Sequence, residues 1–155
     1  MPVTDEQTAA LRAFLSFDPS SERLTRDLAD AGRLDGFGAL AHAAFVIAVR
    51  RRFAPTWTSA QIVGFTARLR NALRPQGIDL DPKATEILIR KALGDPVTSD
   101  GDDKTQARAM TLVLVDLMAD EHLSDDSLDA FMAEARALAD DRLAARHDGG
   151  LGRPK

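Results

Sequence analysis

The 155-residue chain has no cysteine and no tyrosine, and only one tryptophan. Without cysteine, disulfides, thiolate zinc sites and cysteine nucleophiles are excluded together. The scarcity of aromatic side chains, set against abundant alanine, argues against sheets: strands favour aromatic and β-branched residues, whereas alanine is the strongest helix former. Long hydrophobic runs are missing too. The longest nearly uncharged apolar run, residues 37–49, is shorter than the roughly 20 residues a spanning helix needs, so no membrane insertion is expected. Met1-Pro2-Val3-Thr4-Asp5-Glu6 lacks the basic and apolar regions of a secretory leader, which predicts a cytoplasmic protein.

Motifs that carry chemistry are equally scarce. There is no Gly-x-Ser-x-Gly, phosphate-binding loop or zinc-protease motif. Gly36-Phe37-Gly38-Ala39-Leu40-Ala41 matches the loose Gly-x-Gly-x-x-Ala dinucleotide pattern. It lacks the preceding strand and the acidic residue about 20 positions on, so these glycines are expected to ease the chain into a buried helix. Asp100-Gly101-Asp102-Asp103 has the composition of a calcium loop, but placing Gly101 at the sixth loop position puts Pro96 first and Ala107 twelfth. Two carboxylate ligands are lost, and an acidic linker is expected instead. His42, His122 and His147 lie on separate segments without a second ligand at helical spacing, so neither metal nor cofactor is predicted.

What the chain does have is helix punctuation. Thr4 and Gln7 form a capping box, each satisfying an amide of the first turn, and Thr58 with Gln61 repeats it. Asp18-Pro19 and Asp81-Pro82 each read as a cap followed by proline at the first helical position. Gly32 and Gly94 read as helix stops, and Ser124 opens a last helix with Asp125 and Asp126 in its first turn. Between these marks, residues 37–49 are apolar on every side, as a central helix would be. Thr111-Leu112-Val113-Leu114-Val115 could pass for a strand, but no convincing partner strand is found, so a helix covered on two sides is predicted, with Ala107, Met110, Leu114, Leu117 and Met118 on one side and Leu112 and Val115 opposite. Glu86 and Arg90 are spaced for a helical ion pair. These readings predict an all-α fold of six to seven helices in orthogonal or bundle-like packing, one domain over residues 1–148 and a flexible tail over 149–155.

Net charge is -4, unevenly distributed. Residues 1–49 hold 7 acids and 4 bases, residues 50–91 hold 3 and 9, and residues 92–155 hold 14 and 7. The basic middle is therefore the segment in which to look for a surface. It contains Arg50, Arg51, Arg52, Trp57, Arg70 and Arg74, which together form the candidate interaction surface. Two arguments weigh against reading them as a nucleic-acid site. Three consecutive arginines at about 100° spacing splay around a helix, and at a helix end they complement its exposed carbonyls. The segment Arg74-Pro75-Gln76-Gly77-Ile78-Asp79-Leu80 is also too long for the turn of a helix-turn-helix. Trp57 is expected to staple against Ile62 across the Thr58 cap.

The function predicted from sequence is thus a non-catalytic helical interaction or regulatory protein, whose partner is another protein or a second copy. Nucleic-acid binding through the 50–74 region is the first alternative, and a ligand or catalytic pocket between helices is the second.

Overall fold

A computed structural model describes residues 2–32, 34–53, 56–95, 97 and 103–151, with the side chains of 35 and 146–151 excepted. The fold is all-α. Its helices are α1 (Asp5–Leu15), α2 (Ser21–Asp30), α3 (Leu34–Phe53), α4 (Ser59–Leu73), α5 (Pro82–Ala92), α6 (Asp103–Glu121) and α7 (Asp125–Leu151), with a 3-10 turn at Arg74–Gln76. Among the described residues there is no strand, and Thr111–Val115 stands mid-helix in α6. No helix there is long and apolar enough to cross a membrane.

Contacts gather the chain into two units: Met1–Ala44 with His122–Lys155, and Phe45–Glu121. In the first, α1 packs on α2 and α7. The Thr4 hydroxyl accepts from the Gln7 amide while Gln7 Oε1 accepts from the Thr4 amide at 2.8 Å, so the predicted capping box is present. Polar clamps tie this end of α1 to α7: the Val3 amide donates to Asp140 at 2.7 Å, and Arg136 donates to the Val3 carbonyl and to Asp5. Farther along, Arg12 donates to Asp129 at 2.6 Å. Gln7 is buried, and its amide fills the space above Gly36: a Cβ there would stand 2.7 Å from Oε1 and 2.9 Å from Cδ. The first glycine of the apparent dinucleotide motif therefore lies inside a helix, close against a capping glutamine.

α1 ends with Phe17 at φ 59, and the Asp18 amide returns to the Ala13 carbonyl at 2.8 Å. That is the closure glycine usually makes, here with a phenylalanine left 63% exposed. α2 starts two residues later than the Asp18-Pro19 reading places it. Asp18 does not cap the helix; it accepts from the Ser20 amide in a local turn, and this bond holds its carboxyl below the usual range. α7 continues to Leu151, three residues into the segment read as a tail, and 152–155 lie outside the described residues.

The second unit is built on the apolar half of α3, where residues 45–49 are all buried. Side chains such as Phe45 and Val49 stabilise the fold by about 1.5 to 3 kcal/mol each when removed from water. α5 packs on α4 and α6. Asp81 accepts from the Ala84 amide at 3.0 Å with Pro82 behind it, as the sequence predicts. α6 buries Leu114, Leu117 and Met118 as predicted, with Met110 half-buried; Ala109 and Val113 join them in the core, and Ala107 is exposed. The helix carries apolar residues on two sides, so periodicity alone does not determine which of them faces inward.

Candidate interaction surface

The basic stretch that closes α3 is dispersed by its own unit. Arg50 donates from Nε to the Ala92 carbonyl at 3.0 Å, satisfying the last turn of α5 rather than of its own helix. Arg51 pairs with Glu121 at 2.9 Å. Arg52 lies over the Phe53 ring at 5.3 Å, and Arg68 over Phe65 at the same distance. The two rings meet edge to face with centroids 5.5 Å apart. Burial pushes the nearby Asp116 carboxyl upward, against the opposing pull of Arg68. Trp57, just before the Thr58 cap, is half-buried, and Ile62 is fully buried. The Thr58–Gln61 capping box is present in both directions.

Arg70 and Arg74 differ from these. Both are exposed, and neither makes a hydrogen bond or ion pair among the described residues. α4 buries Ile62, Phe65, Thr66 and Leu69. At about 100° per residue, its opposite side presents Ala60, Val63, Ala67 and Arg70, continued by Arg74 at the start of the 3-10 turn, alternately three and four apart, the spacing of a helix–helix seam. All five are exposed, Val63 at 47%, and α4 contains no acidic residue. The seam is apolar in its first half and cationic in its second.

Of the six residues singled out from sequence, this arrangement brings together Arg70 and Arg74. Arg50, Arg51 and Arg52 are occupied elsewhere, and Trp57 sits at the helix entrance. Ala60, Val63 and Ala67 were missed. The signal for them was present: once Ile62, Phe65 and Leu69 are assigned inward, an apolar stripe remains on the reverse of a helix without acids.

Other chemistry has less to work with. A cleft of about 70 Å³ is lined by Ala48, Arg51, Arg52, Leu117, Asp120 and Glu121. Another of about 210 Å³ is lined by Asp79, Leu80, Asp81, Thr105, Arg108 and Ala109. Both are below the roughly 300 Å³ at which ligand pockets begin, and Asp81 is already engaged as a cap. Among the described residues, no group of three or more histidines and carboxylates could hold a metal ion. The exposed His42 accepts at Nδ1 from Arg142 at 2.9 Å, since a guanidinium only donates; the side chain of His147 and the Asp100–Gly101 loop lie outside the described residues. No protein family, curated protein or solved structure matches this chain.

Proposed function

We propose that the chain is a non-catalytic helical interaction protein, and that the outward side of α4 is where it receives another helix. The observation that carries this reading is the conjunction on that side of a 47% exposed Val63, exposed alanines at positions 60 and 67, and two arginines without partners among the described residues. An exposed branched aliphatic flanked by small residues lets a second helix approach closely, and cations at one end set its direction and register. Nucleic-acid binding is the weaker reading. Phosphate contacts need several cations on one side, whereas Arg50 and Arg51 are engaged internally and the seam itself is half apolar. The test is a photo-crosslinking residue at position 67 in cells that express the protein. A discrete polypeptide adduct supports the reading; an adduct with nucleic acid, or none, contradicts it.

A further inference from the structure

Resting on the α4 reading, we infer that the helix received there is α7 of a second copy of this chain. The outward side of α7 has the complementary pattern. Asp126, Ala130, Ala133, Ala137, Asp141 and Ala144 recur three and four apart and are all exposed, with Glu134 beside them. None of these three carboxylates makes a hydrogen bond or ion pair among the described residues, although neighbours on the same helix do: Asp129 pairs with Arg12, and Asp140 accepts from the Val3 amide. α7 thus divides its acids between a set that holds α1 and an outward set without partners among the described residues. α4 likewise has Arg70 and Arg74 left over while Arg50 and Arg51 serve their own unit.

The two faces match in shape as well as in sign. Each has three apolar positions, the first and last seven residues apart, about 10 Å along the helix; charge follows the α4 set at one end and flanks the α7 set at both. Alanines on α7 leave room for Val63, and the carboxylate at one end of the α7 set meets the guanidinium groups that follow the α4 set. The surface given and the surface received lie on different helices, so two copies make the contact either twice about a twofold axis or once, head to tail.

The experiment is light scattering on the full chain as its concentration is raised, repeated with two charge-reversed variants. The wild-type mass should rise from 16.8 kDa to at least twice that value, less so in high salt. Arg70→Glu with Arg74→Glu should weaken association about tenfold, two exposed pairs turning from attraction to repulsion. Asp126→Lys with Glu134→Lys and Asp141→Lys should do the same. An equimolar mixture of the two variants should associate again, because the acidic α4 of one now meets the basic α7 of the other. That recovery also shows that both variants are folded. A wild-type protein that stays monomeric, or a mixture that fails to recover, overturns the inference. If the position-67 crosslink meanwhile yields an adduct with a different polypeptide, the α4 reading stands and only the identity of the partner falls.

Discussion

Replacing Gly36 by alanine tests whether that glycine serves the fold or a bound cofactor. In an ordinary helix interior, Gly→Ala stabilises by about 0.5 to 1 kcal/mol. Here the new Cβ would collide with the Gln7 side-chain amide, which is buried and completes the capping box of α1. Gln7 has to swing away. Loss of the cap costs about 1 kcal/mol, and a buried amide left unpaired costs about 1 to 3 more. The propensity gain is smaller than these losses, so Gly36→Ala should destabilise by about 1 to 3.5 kcal/mol, or about 2 to 14 °C in melting temperature. In a Gln7→Ala background the obstructing atoms are gone, and the same substitution should instead stabilise by about 0.5 to 1 kcal/mol. The assay is urea unfolding followed by far-ultraviolet circular dichroism on the four proteins of the cycle. If Gly36→Ala has the same effect in both backgrounds, Gln7 is not what requires a glycine there, and the reasoning fails.

Arg50→Met removes a charge-assisted bond to the end of α5 and should cost about 1 kcal/mol in urea unfolding, whereas Arg70→Met and Arg74→Met should stay within about 0.5 kcal/mol of wild type. Equal effects at all three sites would contradict the division of labour drawn between them. The Asp116 carboxyl is raised in the folded state, so the stability it contributes is complete below the ordinary value of 3.8 and is lost as pH rises through the folded value. Asp116→Asn should therefore stabilise near neutral pH and make no difference below about pH 3.8; a neutral-pH loss would reverse the sign. Phe17→Gly relieves a left-handed phenylalanine and should raise stability by about 1 kcal/mol, measured by thermal unfolding. A fall of similar size would mean that Phe17 makes contacts its 63% exposure hides.

The features legible in the sequence are those whose physics is local. The capping boxes at Thr4 and Thr58 and the Asp81-Pro82 start depend on residues three apart, and they form as read. Asp18-Pro19 has the same letters as Asp81-Pro82, yet its aspartate is drawn into a turn by the amide two residues on. Local chemistry offered two outcomes there. Glu86 and Arg90 are correctly spaced, but no ion pair joins them among the described residues, because Arg90 reaches Ser59 at 2.8 Å and Asp95 at 3.6 Å. The same holds for Arg50, whose acceptor is 42 residues away. Long-range partners of flexible cations leave no mark on sequence periodicity. They are also what separates occupied arginines from free ones, so the candidate site emerged only once those partners were known.

On the proposed function, the outward side of α4 is covered by another helix when the protein is at work. The absence of native cysteine allows a direct measurement: introduce one cysteine, Ala67→Cys in α4 or Glu22→Cys in α2, and compare its alkylation rate in expressing cells with that in dilute purified protein. Both positions are exposed. Modification at 67 should be several-fold slower in cells, with no change at 22. Equal rates at 67 in the two settings would contradict it.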